Sequence, residues 1–101
     1  MKLRSLAHSR TGDKGNISNL SLIAYNKEDY ERLKAEVTAA RVKEWFRDIV
    51  HGEVIRYELP KLAAFNFVLN DALGGGVTRS LSLDSHGKSL SSAFLDMEIG
   101  D

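Results

Sequence analysis

Arg10-Thr11-Gly12-Asp13-Lys14-Gly15-Asn16 concentrates the reactive groups of this chain. Two glycines and five polar residues, three of them ionised, fill seven positions between two apolar-patterned runs. Gly12 and Gly15 permit positive φ and close backbone approach. Successive amides in such a turn form an anion-binding nest, to which Arg10 or Lys14 adds charge. The phosphate-binding P-loop has a longer spacer between its glycines and then Lys-Ser/Thr, so a nucleotide site is disfavoured. Three uses stay open. The stretch is a rigid loop in which Asp13 accepts from local amides and pairs with Arg10 or Lys14, or an anion or ligand site, or a catalytic site.

A second polar group comprises Asn66, Asn70, Thr78, Ser80, Asp84 and Lys88. Residues 62–73 have the length and spacing of a helix, on which Asn66 and Asn70, four apart, share a face. If buried, they need polar partners. The nearest are the polar side of a strand over 77–84 and the amides of the 10–16 loop. Asn66 then either ties helix to loop or lines a pocket with it. The glycine run at 74–76 reads as a helix stop rather than a ligand cradle. His8, His51 and His86 show no HxH or HxxxH spacing, so no metal site is expected. His8, beside the loop, is the one candidate general base. The serines form no Gly-x-Ser-x-Gly elbow.

These groups need a scaffold, and 101 residues supply one domain with one modest core. A partner chain would add to its stability. Fourteen basic residues balance fourteen acidic ones. That neutrality argues against a general nucleic-acid binder and gives little protection against self-association. The chain has no cysteine, so disulfides and thiolate metal sites are excluded. No apolar run is long enough to span a membrane. Lys2 and Arg4 lead into a polar stretch, unlike a signal peptide, so the cytoplasm is the expected compartment.

Strands are expected near 3–9, 17–25, 53–59 and 77–84, and helices near 27–50 and 62–73. Leu20, Leu22 and Ala24 point one way along the second strand, and Ile17, Ile23 and Tyr25 the other. Asn26 is a suitable N-cap, and Thr38 recaps a second helical segment. Trp45 and Phe46 sit at core spacing, and Gly52 closes the segment in the left-handed conformation. Leu62, Phe65, Leu69 and Leu73 form the stripe of the 62–73 helix. A short helix from Leu90, or a strand over 94–99, ends the chain. The class is α+β, a two-layer sandwich of about four strands with two main helices on one face. Trp45, Phe46, Leu20, Leu22, Leu69 and Leu81 should be buried. The other face, with Ile17, Ile23 and Tyr25, should be an interface.

Ala7-His8-Ser9-Arg10-Thr11-Gly12-Asp13-Lys14-Gly15-Asn16, then Asn19, resembles the start of the small C-terminal domain of acyclic terpene utilisation protein A (AtuA) and its relatives. The likeness continues through Tyr57-Glu58-Leu59-Pro60, Asn66-Phe67-Val68-Leu69 and Leu73-Gly74-Gly75-Gly76-Val77-Thr78-Arg79-Ser80, then Asp84 and Gly87-Lys88. Thr11 stands where the family pattern has Ser, which keeps the hydroxyl. The resemblance implies a ferredoxin-like fold, possibly permuted, and an accessory domain linked to acyclic terpene or acyl-CoA catabolism. Longer relatives carry a large N-terminal domain before this one. The implied partner is therefore a second copy or a separately encoded large AtuA-type subunit, with neither nucleic acid nor membrane. No cofactor is implied. The alternative is a small unit that binds an anion or acyl-CoA, or acts on it, through the 10–16 loop with Asn19 and Asn66.

Overall fold

The computed structural model describes residues 1–14, 17–72 and 90–100. The strand expected at 77–84, with Leu81, lies outside the described residues, as do the glycine run, Thr78, Ser80, Asp84, His86 and Lys88. The strands are β1 (Ala7–His8), β2 (Thr11–Lys14), β3 (Ile17–Ala24), β4 (Val54–Leu59) and β5 (Ala64–Leu69). The helices are α1 (Tyr30–Glu36), α2 (Ala39–Trp45) and α3 (Leu90–Phe94), with short 3₁₀ turns at Leu3–Ser5, Lys27–Asp29 and Pro60–Leu62. The fold is α+β, built on an antiparallel sheet ordered β1-β3-β5-β4 with β2 also on β3. Among the described residues no helix is long and apolar enough to cross a membrane.

β1 and β2 are two parts of one line along β3. Ala7 pairs with Ala24 and His8 with Ile23, and the same register resumes at Thr11 with Leu20 and runs to Lys14 with Ile17. Between them the Arg10 carbonyl still accepts from the Ser21 amide at 3.0 Å, but the Arg10 N–H donates to Ser21 Oγ at 2.9 Å. A side chain has replaced one rung of the ladder. The first expected strand is thus shorter than 3–9: Leu3 is buried in a 3₁₀ turn.

The expected helix over 62–73 is a strand in the structure. Pro60–Leu62 form a 3₁₀ turn, Ala63 takes φ 49° and ψ 47°, and the chain reverses from β4 into β5. This left-handed alanine is unusual for a residue with a Cβ. The run holds two periods at once. Leu62, Phe65 and Leu69 fit a helix stripe, while Phe65, Phe67 and Leu69 fit a strand face. Pairing on both sides decides for the strand: Phe67 lies between Leu20 of β3 and Arg56 of β4.

Leu20 and Leu22 of β3, Phe65, Phe67 and Leu69 of β5 and Val54 of β4 point to one side. There they meet Leu33, Val37, Val42, Phe46, Ile49 and Phe94, all fully or almost fully buried. Thr38 caps α2, its Oγ1 accepting from the Arg41 amide at 3.2 Å. Asn26 opens the preceding turn in extended conformation with no side-chain cap bond. Trp45, expected in the core, is 40% exposed. Val42, Phe46 and Ile49 take the buried stripe, and the indole lies beside it with its N–H donating to the Ala93 carbonyl at 3.0 Å. Gly52 is not a left-handed helix terminus. α2 ends at Trp45, and a Cβ at 52 would stand 2.7 Å from the Asn70 carbonyl oxygen. The C-terminal residues return to the start of the chain, where Leu3 donates to Met97 and Ile99 to Met1, both at 2.8 Å.

Tyr30 stacks on Phe65 with ring centroids 4.7 Å apart and planes 6° from parallel. Its hydroxyl is buried and has no hydrogen-bond partner among the described residues. Burial, and then the carboxylate of Glu58, raises its pKa above the ordinary value near 10. Tyr30→Phe keeps the stack and removes an unsatisfied polar atom, so it should stabilise the fold by about 1 kcal/mol in urea titration. In the native protein the unfolded phenol ionises first as pH rises. This contribution is therefore complete below pH of about 10 and is lost as pH climbs towards the raised folded value. The Phe variant should lack that alkaline decline.

Candidate functional site

The 10–16 stretch is largely a strand, not the loop expected. Extended backbone turns successive amides to opposite sides, so residues 11–14 do not gather theirs into a concavity. Thr11 Oγ1 accepts from the Ser91 amide at 2.8 Å and so anchors the start of α3. A hydroxyl is needed there, and Ser or Thr supplies it. The Gly12 carbonyl accepts from Oγ of the buried Ser18 at 3.1 Å. A Cβ at 12 would lie 2.9 Å from Asn19 Oδ1, so the glycine makes room for that amide. The Asp13 and Lys14 backbones pair with Ser18 and Ile17. Gly15 and Asn16 lie outside the described residues.

Asn66 and Asn70 do not share a helix face. Asn70 follows β5, where its Nδ2 and its amide each donate to the Glu53 carbonyl at 3.0 Å. Its carbonyl accepts from Gly52 at 3.0 Å. Those bonds join two chain segments. Asn66 lies on β5 in register with Ser21 on one side and Tyr57 on the other. Ser21 is in turn bonded to Arg10 through both backbone and side chain.

Arg10, Ser21, Asn66 and Tyr57 therefore form one row across the sheet, on the side away from the core. Arg10 and Asn66 stand two strands apart, roughly 10 Å at ordinary strand spacing. Neither the Arg10 guanidinium nor the Asn66 amide has a partner among the described residues. The next row carries Gly12, Asn19, Val68 and Ile55. On the other side of Asn66, Ile23, Leu59, Leu62 and Ala64 line an apolar groove of about 630 Å³, which Ser21, Tyr57 and Asn66 border. His8 lies on the same face and stacks on Tyr25, with ring centroids 5.6 Å apart.

Sequence reasoning placed Arg10, Asn19 and Asn66 in one candidate site and missed Ser21 and Tyr57. Reading 64–69 as a strand would have found both, because the alternation of Ile55, Tyr57 and Leu59 then faces that of Asn66 and Val68. The same cross-strand pairing leaves Asn19, Ser21, Tyr57 and Asn66 as a polar track between two apolar patches.

A family model, that of the AtuA ferredoxin-like domain, matches residues 1–100. The chain belongs to this family. Its α+β sheet agrees with the ferredoxin-like architecture that the family name carries. No curated protein and no solved structure matches the chain. Within this AtuA-type domain, Thr11 and Gly12 serve the hairpin and its packing against α3. Arg10, Asn19 and Asn66 lie on the side of the sheet away from the core, an open face among the described residues.

Proposed function

We propose that this AtuA-type domain is an accessory module that works by docking its open sheet face on protein. One observation carries the reading. On that face β3, β4 and β5 place Ile17, Asn19, Ser21, Ile23, Ile55, Tyr57, Leu59, Ala64, Asn66 and Val68, with no Asp, Glu, Lys or Arg. The chain as a whole is 28% charged, and 27–48 alone holds six basic and six acidic residues. Depletion of charge around aromatic and aliphatic side chains marks the centre of a protein interface. The partners that fit are a large AtuA-type subunit or the domain itself, in a pathway of acyclic terpene or acyl-CoA breakdown. Co-purification with a purified large AtuA-type protein, or self-association, supports the reading. A chain that does neither overturns it.

A second reading is favoured by Arg10, which shares a row with Asn66, a residue bordering the apolar groove. Here the domain binds an anion with an apolar tail, such as an acyl-CoA, and Arg10 holds the negative group. Charge-assisted contacts of this kind are worth roughly 1.5–3 kcal/mol. Arg10→Ala should then weaken acyl-CoA binding about tenfold or more in calorimetry, with an unchanged melting temperature. If no acyl-CoA binds the native protein, this reading is wrong.

A further inference from the structure

The open face has a definite symmetry of chemistry. Asn66 stands near its centre, on β5 between β3 and β4 and midway along the strand. Ser21 and Tyr57 flank it, and Ile23, Ala64 and Leu59 on one side and Val68 and Ile55 on the other border this polar centre. We infer that a second copy of this chain occupies the face, in a two-fold sheet-on-sheet dimer with Asn66 at the axis. This rests on the docking reading above and names its partner.

Three features select a second copy. The first is self-complementarity. Across a two-fold axis a central residue meets its own copy. A carboxamide has both a donor and an acceptor, so two Asn66 side chains can bond reciprocally, and the Tyr57 and Ser21 hydroxyls have the same dual character. Such pairing gives the Asn66 amide the partner it lacks among the described residues. A single buried amide is also a known device for fixing register. The second is charge. An acidic or basic partner would find no opposite charge on the side of β3, β4 and β5 away from the core, whereas a copy brings no like charge to the centre. Arg10, two strands away, stays at the rim. The third is area. Ile17, Tyr25, Tyr57, Leu59 and Leu62 are exposed by 44%, 59%, 51%, 40% and 67%. At roughly 200 Å² per large side chain, they alone offer on the order of 500 Å². A specific interface takes roughly 500–800 Å² from each partner, and the less exposed residues of the face supply the remainder. Two such faces pack about 10 Å apart, with strands aligned near −30° or crossed near 90°.

Sedimentation velocity over a concentration series from low micromolar upwards tests this with the native chain and three variants. The native chain should be a dimer. Leu62→Glu, at an exposed position, should weaken the dimer at least tenfold. Asn66→Asp places two carboxylates together at the axis and should weaken it about a hundredfold at neutral pH. It should recover in acid, where two adjacent carboxyls share a proton. Arg47→Glu on the helical side should change nothing. A native chain that stays monomeric, or a dimer that survives both open-face substitutions, overturns the inference. If the native chain is monomeric but binds a large AtuA-type protein in a manner that Leu62→Glu abolishes, the second copy is wrong and the docking reading stands.

Discussion

Phe67→Ala should remove about 3–5 kcal/mol of stability, a large part of the roughly 5–15 kcal/mol that a domain of this size possesses. Phe67 is fully buried in the middle of β5. It meets the edge of Phe94 at 5.5 Å and 77°, and Phe65 at 6.3 Å. Truncation would empty the space where β3, β5 and α3 come together, and the sheet cannot collapse into it without losing its register. The melting temperature should fall by about 15–30 °C. Val68→Ala, one position along on the open face, should cost less than about 1 kcal/mol in the isolated protomer. The pair also tests the strand itself. On a helix carrying Leu62, Phe65 and Leu69, Phe67 would stand about 200° from Phe65 and would face away from the core. A mild Phe67→Ala effect would therefore restore the helical reading of 62–73.

That ambiguity shows where the sequence was legible and where it was not. β3 and β4 could be read because each alternates without a competing helical period, and their neighbours are polar or turn-forming. Thr38 could be read because an N-cap is a local device, and its bond to Arg41 spans only three residues. β5 could not, since its two periods differ only in which tertiary neighbours they satisfy. Trp45 and Phe46 are adjacent and both apolar. Which of them enters the core depends on the rotation of α2 over the sheet, which no local pattern fixes. The 10–16 stretch looked like a loop because its glycines and charges suit turns. Its commitment to β3 comes from the long partner strand and from Ser21, eleven residues away from Arg10. The candidate site was found by residue type, but its geometry was not: Asn66 reaches the same face as Arg10 through strand register.

Arg56→Ala should cost about 2–4 kcal/mol, more than any surface ion pair of this chain could. Arg56 lies on β4, yet its side chain is only 16% exposed. Nη1 donates to the Lys34 carbonyl at 2.7 Å and to the Val37 carbonyl at 2.9 Å. These oxygens belong to the end of α1, where helical carbonyls have no partner of their own. A cation there also meets the negative end of the helix dipole. Nη2 donates to Glu58 Oε2 at 3.2 Å, and the guanidinium lies 5.2 Å from the Phe65 ring centroid. One side chain thus joins a strand edge, a helix terminus and the aromatic core. Lys34–Glu58, at 3.5 Å with both partners about 40% exposed, is a solvated pair and contributes little. Arg56→Lys should restore less than half of the alanine loss, because an ammonium cannot present the planar fork that reaches two carbonyls and a carboxylate together. The alanine loss should persist in high salt, where exposed pairs are screened. Urea unfolding of both variants at low and high ionic strength checks this. If Arg56→Ala stays within about 0.5 kcal/mol of the native protein, or if salt alone reproduces its effect, the guanidinium is a surface charge and α1 is held by its apolar side chains.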